Sequence, residues 1–196
     1  MVGLIIFIKN PELGKCKTRL AVTIGNDNAL LVYKKLLAHT RQVSLDLPIN
    51  RYLFYAQNID TSDSWDNTQF IKHLQHSGDL GSRMHEAFLN VLKSESKAII
   101  IGSDCPEINP KIIKLAIESL EGFDFVIGPT HDGGYYLLGM KSPSPFLFKD
   151  MKWSVESVFE ETVARIKKEG KTYAILQKMS DLDNEEDLNK FPSFKA

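Results

Sequence analysis

Leu4–Leu20 reads LIIFIKNPELGKCKTRL: five apolar residues, then a polar loop with four cations, a proline and a glycine in twelve positions. The apolar run, rich in Ile, has the pattern of a strand buried on both faces, which is how strands of a helix-covered parallel sheet read. In open α/β sheets ligands sit beyond the carboxyl ends of the strands. A cation-rich loop directly after such a strand therefore has two readings. It is a solvated turn, or it is a cradle for a polyanion.

The rest of the chain continues the α/β pattern. Strand-like runs occur at Tyr52–Tyr55, more weakly at Phe70–Leu74, and again at AIIIG (Ala98–Gly102), FDFVIG (Phe123–Gly128), GYYLLGM (Gly134–Met140) and YAILQ (Tyr173–Gln177). Between them lie helical patterns. Residues 27–45 carry Leu30, Leu31, Leu36, Leu37 and Val43 at three- and four-residue steps. The stretch from Asp79 to Glu95 places Met84, Ala87, Phe88, Val91 and Leu92 on one face. Asn109-Pro110 opens a third helix as N-cap and first-turn proline. Ser154 is the expected N-cap of a fourth helix, which Gly170 stops. Alternating strands and helices predict an α/β architecture with a mixed, mostly parallel sheet. With 196 residues, no internal repeat and no long linker, one domain over 1–196 is expected. The polar stretch Gln57–Thr68 reads as a surface excursion.

Composition limits the partners. The 24 basic and 25 acidic side chains nearly cancel, which argues against a broad nucleic-acid footprint but leaves room for a small anion site. Cys16 and Cys105 stand far apart with no CxxC pattern, against a disulfide framework or structural zinc and in keeping with a reducing cytoplasm. The apolar N-terminal run is too short for a signal segment or a membrane span, so a soluble cytoplasmic protein is expected.

Three loops carry the chemistry. In the first, Lys9, Lys15, Lys17 and Arg19 can face one ligand, and Gly14 lets backbone amides approach it. A helix is expected only several residues later. The Walker loop is excluded, because Lys9 stands where its leading glycine would be and Cys16 follows Lys15. The second loop is GSDCP, Gly102–Pro106. Asp104 there is either a metal ligand at a strand's carboxyl end or a capping residue. Cys105, with no partner histidine nearby, reads as a packing residue. The third is PTHDGG, Pro129–Gly134, where Asp132 can accept from hydroxyls and the glycine pair can admit a ligand to the backbone. His131 is an exposed turn residue or an acid–base group. Tyr135 and Tyr136 alternate faces, one for the core and one for the cleft. Two weaker segments are QHSGDLGSRM (Gln75–Met84), ahead of a helix N-terminus that attracts anions, and SDLDNEEDL (Ser180–Leu188), with Asp181 and Asp183 before a helix start.

Taken together the blocks resemble a known family. FIKNPELGKCKTRL, QHSGDLGSRM, GSDCP, GPTHDGGYYLLG, Trp153-Ser154 and SDLDNEEDL follow in order across about the whole chain. They are similar to the small bacterial transferases labelled selenodomain-associated transferase, glycosyltransferase A (GT-A) type. More distantly they are similar to the molybdenum-cofactor and phospholactate guanylyltransferases. Departures are modest: Ile8 and Asn10 stand where alanine is usual, Asn184 where threonine is usual, and Val155 where threonine is common.

The resemblance implies a three-layer α/β/α sandwich of the nucleotide-diphospho-sugar transferase type. It implies phosphates held by Lys9, Lys17 and Arg19, with Gly14, Thr18, Gly78, Asp79 and Arg83 in the same nucleotide site. Asp104 and Asp183 would bind Mg²⁺ or Mn²⁺. Asp132, Gly133 and Gly134 would contact sugar or acceptor, and Asp104 and Asp132 are the candidate catalytic residues, with Asp132 ahead of His131 as base. The partner is a nucleoside di- or triphosphate or a nucleotide sugar, with an unknown small-molecule acceptor. Three activities are open: glycosyl transfer, nucleotidyl transfer and silent nucleotide binding. The family label favours the first, and the dense cations of the first loop favour the second.

Overall fold

Leu4, Ile5 and Ile6 are wholly buried, and they alternate between two cores, Leu4 and Ile6 in one and Ile5 in the other. That alternation puts apolar side chains on both faces of the first strand and requires a helical layer on each. The computed structural model describes residues 1–195. Its elements are β1 (Val2–Ile8), α1 (Thr18–Ile24), α2 (Asn26–Leu45), β2 (Asn50–Tyr55), β3 (Ile71–Leu74), α3 (Leu80–Val91), β4 (Lys97–Ile101), α4 (Pro110–Gly122), β5 (Phe125–Pro129), β6 (Tyr135–Met140), α5 (Val158–Lys168), β7 (Tyr173–Ile175) and α6 (Glu185–Lys190).

The seven strands lie in the order β3-β2-β1-β4-β6-β5-β7, and only β6 runs against the others. One core packs α2 and α4 on the sheet through Tyr33, Leu37, Ile113 and Leu120. The second packs α3 and α5 on the opposite face through Met84, Phe88 and Ile166. A third cluster joins α1, α2 and α6 through Leu20, Val32, Leu36 and Leu188. The expected three-layer α/β/α sandwich with a mixed, mostly parallel sheet is therefore what the chain adopts.

Local signals account for most boundaries. The Asn109 side chain accepts from the Lys111 and Ile112 amides at 3.1 and 3.2 Å, with Pro110 in the first turn. Asp79 accepts from the Ser82 amide at 2.8 Å, and Asn184 and Asp187 form a capping box. Each such cap is worth about 1 kcal/mol.

Two expectations are corrected. Helix starts directly at Thr18, not several residues after the basic loop. Gly25, at φ 82°, breaks it from α2, so the loop's last cation Arg19 sits in a helical first turn. And Ser154 does not cap α5. Ser157 holds that position, while Ser154 adopts φ 60° in a turn packed on the β5–β6 connection. Among the described residues no helix is long and apolar enough to cross a membrane.

Candidate active site

From β1 the chain proceeds outward to β2 and β3, while β4 and the strands after it lie on β1's other side. The crevice at the carboxyl ends of β1 and β4 is thus the topological switch point, where open α/β sheets bind ligands. A cavity of about 610 Å³ occupies it. Its walls are the loops after β1 and β4, the start of α3, Tyr135 and Tyr136 at the start of β6, and the segment after β7.

Several side chains fix these walls. Tyr33, on α2 and 2% exposed, accepts from the Lys9 amide at 2.9 Å and lies 3.4 Å from Ser103 Oγ, so one hydroxyl ties the first loop to the second. Burial pushes its phenol well above the ordinary tyrosine range. Asn10, also buried, accepts from the Gln57 amide and donates to Asn58 O, anchoring the loop to the excursion after β2. Gln75 Nε2 donates to Ile8 O and Phe54 O at 3.2 and 3.0 Å, closing the ends of β1 and β2. The segment after β7 is pinned by the Met179 amide on Pro129 O and the Leu182 amide on Asp104 O at 2.9 Å. Those bonds, with Leu182 buried in the third core, carry Asp181 and Asp183 across to Asp104.

Charge is concentrated where the loops meet. Lys17 Nζ lies 2.9 Å from Asp104 Oδ1 and 3.0 Å from Asp183 Oδ1. Burial opposes its charge, yet the two carboxylates outweigh that and hold its pKa above the ordinary lysine value. Arg19 Nη1 lies 3.5 Å from Asp183 Oδ2. Asp181 also lines the cavity, and burial, with Asp104, Asp132 and Asp183 nearby, pushes its carboxyl up to about 7 against the pull of Lys17. A carboxyl that exchanges its proton near neutrality is chemically fit for acid–base work.

Among the described residues no three His, Cys, Asp or Glu side chains are placed to hold an ion. Two carboxylates do converge, since Asp104 and Asp183 reach the same ammonium and remain 47% and 42% exposed on the cavity side. Mg²⁺ is commonly held by one or two carboxylates together with substrate phosphates, and Mn²⁺ accepts the same oxygen donors. The residues fit such an ion.

The cavity brings together Lys9, Lys17, Thr18, Arg19, Arg83, Asp104 and Asp183. Gly14, Gly78, Asp79, Asp132, Gly133 and Gly134 do not line it. Asp79 is used as the cap of α3, and Gly14 and Gly78 serve turns at φ 73° and 114°. Asp132 sits in its own turn, accepting from Thr130 Oγ1 and from the Gly134 amide. The space above Gly133 is filled by the backbone of Glu156 rather than left open to a ligand. Both tyrosines line the cavity, although Tyr136 is also core and donates to Gln177 O at 3.1 Å. Tyr33 was not anticipated, since a tyrosine within an apolar helical stripe has no distinguishing signal.

The cysteines are core residues. Both are 3% exposed; burial raises the Cys16 thiol and pushes Cys105 up to about 12. A disulfide reagent such as dithionitrobenzoate is expected to find no fast thiol in the native protein and two after unfolding. A fast native thiol would contradict the packing.

Comparison with known proteins agrees with the fold. A family model described as "Uncharacterized protein conserved in bacteria (DUF2064)" matches residues 38–155, more than half of the chain. The chain belongs to this family. The DUF2064 match spans Asp104 and Gly133 but neither the basic loop nor Asp183. No curated protein matches the chain. Among solved structures, a candidate nucleotide-diphospho-sugar transferase from Desulfovibrio desulfuricans G20 is 29% identical. It has a TM-score of 0.88 over 96% of this chain and 84% of its own. The 4-diphosphocytidyl-2C-methyl-D-erythritol synthase of Anaerococcus prevotii DSM 20548 shares the fold at 13% identity and TM-score 0.60, covering 98% and 97% of the two chains. So does Rv0371c of Mycobacterium tuberculosis H37Rv, solved with manganese, at 12% identity, TM-score 0.52 and 96% of each chain.

Proposed function

We propose that this DUF2064 protein is a metal-dependent transferase that takes a nucleotide-sugar donor and passes the sugar to a small acceptor. The observation that carries the reading is the convergence of the cationic loop after β1 with Asp104 and Asp183 in one cavity at the switch point. The likeness to a candidate nucleotide-diphospho-sugar transferase supports the same class.

The fold divides the loop's cations between carboxylates and the open cavity. Counted along the sequence, four loop cations favour a triphosphate. In the fold Lys15 pairs with Glu12, Lys17 with Asp104 and Asp183, and Arg19 with Asp183. Lys9 makes no ion pair among the described residues, and Arg83 uses only Nε, on Gly78 O. Among the described residues, Lys9 and Arg83 are thus the cations that stand free of carboxylates at the cavity before any ligand binds.

In the mechanism Asp104 and Asp183 would hold the metal, whose charge stabilises the departing diphosphate. Lys9 supplies a point charge and Arg83 a planar donor pair for the same phosphates. Tyr33 keeps the two loops in register, and the start of β6, with Tyr135 and Ser154 beside it, forms the acceptor wall.

Donor binding tests this. A ligand selective for the folded state stabilises it by about 2.7 kcal/mol at a hundredfold excess over its dissociation constant. A thermal-shift series with Mn²⁺ is expected to show stabilisation by one nucleotide sugar and its nucleoside diphosphate. Stabilisation confined to a triphosphate, with pyrophosphate released in the presence of a phosphorylated acceptor, would replace the reading with nucleotidyl transfer. No shift with any of them would leave a silent scaffold.

A further inference from the structure

We infer that Lys17 is a built-in cation occupying the metal's place between Asp104 and Asp183, so that a divalent ion must compete with it. The inference rests on the metal assignment proposed above.

Three observations carry it. The ammonium contacts both carboxylates at once, at 2.9 and 3.0 Å, through the Oδ1 atom of each. The lysine side chain is 4% exposed, whereas the carboxylates are about half exposed, so the ammonium is held in the cavity wall by its partners rather than projecting into open solvent. And Lys17 has φ 50°, a left-handed conformation that an L-residue with a long side chain adopts only when its surroundings enforce it.

An ion ligated by Asp104 and Asp183 faces this ammonium at close range. If it takes the same oxygens it displaces Lys17. If it takes the outer oxygens it meets a like charge only a few ångströms away, in a partly desolvated site. Either way the lysine weakens metal binding when the metal comes alone. A nucleotide changes that balance, because its phosphates offer the released ammonium new acceptors. Lys17 then trades carboxylates for phosphate, and metal and nucleotide bind together.

The test is Mn²⁺ titration by calorimetry of the wild type and Lys17→Met, with and without a nucleoside diphosphate. Without nucleotide, Lys17→Met is expected to bind Mn²⁺ at least tenfold more tightly. With nucleotide, the wild type gains more Mn²⁺ affinity than the variant. Equal or weaker Mn²⁺ binding by Lys17→Met overturns the competition and leaves the metal assignment standing. No Mn²⁺ binding by either protein, with or without nucleotide, overturns both. Should Lys17→Met fail to fold, reductive methylation of the wild type read by mass spectrometry decides instead. Lys17 is expected to resist labelling without metal and to label faster with saturating Mg²⁺, and unchanged labelling overturns the inference.

Discussion

Asp104→Asn is expected to abolish the metal dependence of nucleotide binding while leaving the fold standing. The substitution keeps size and shape and removes one negative charge. Asparagine is a poor ligand for a hard divalent cation, so the pair Asp104–Asp183 is reduced to a single carboxylate. Where a donor that stabilises transition-state charge has been removed from other enzymes, turnover falls by about a hundredfold to a thousandfold. A loss of that size is expected for glycosyl transfer by Asp104→Asn. The fold survives because Asp104 is about half exposed and Lys17 keeps Asp183 at 3.0 Å. Lys17 is 4% exposed and loses one of its two carboxylates, so the cost is expected to exceed that of a surface pair yet stay below the ~3–5 kcal/mol of a buried pair broken outright, because Asp183 remains. The measurement is nucleotide affinity with and without Mn²⁺ for both proteins, with urea denaturation as the control. A wild type whose affinity ignores Mn²⁺, or a variant that keeps the full Mn²⁺ response, contradicts the metal role of Asp104.

Gly133→Ala carries the largest expected loss of stability. A Cβ at this position would lie 2.0 Å from Glu156 O and 2.6 Å from Glu156 C, and these are backbone atoms that cannot rotate away. The residue also has φ 88°, where an L-side chain is strained. Its carbonyl accepts from the Phe159 amide at 2.9 Å, so shifting the turn breaks the bond that seats α5. Overpacking costs about 1–3 kcal/mol and a left-handed residue about 1–2 kcal/mol. A total loss of about 2–5 kcal/mol is expected by urea denaturation. At Gly134 the added Cβ meets the Thr130 hydroxyl at 3.1 Å, and φ is not positive. Gly134→Ala is accordingly expected to cost less than about 1 kcal/mol. If instead both variants keep wild-type stability and lose nucleotide affinity, the glycine pair is a ligand contact after all.

These two residues show where sequence and structure part. Asp104 is legible because a buried apolar run, AIIIG, ends just before it, and the rule that ligands sit at strand carboxyl ends needs no coordinates. The basic loop is legible for the same reason. Asn109, Asp79 and the acids opening α6 announce helix starts, because capping is a contact between residues two or three apart. Gly133 is misleading for the opposite reason. A glycine is a request for space, and its sequence neighbours do not say whether ligand or protein fills it. Here Glu156, more than twenty positions away, fills it. Ser154 fails as a cap because the chain turns there at φ 60° and α5 begins only at Val158, after Ser157.

The cations make the same point in electrostatic terms. Four basic residues in twelve positions determine that the loop is positive, and no more. Whether that charge is available to a ligand depends on carboxylates brought from β4 and from the far end of the chain, up to 166 positions from Lys17. By itself the sequence determined the α/β class, the order of strands and loops, and the polar residues each loop displays, because periodicity, capping and strand–loop order are local. The tertiary structure alone decided that Lys17 is spent between Asp104 and Asp183, that Tyr33 ties two loops together, and that Asp132 and the glycine pair stand outside the cavity. Coulomb attraction and packing act through space, and the chain's order does not contain those distances.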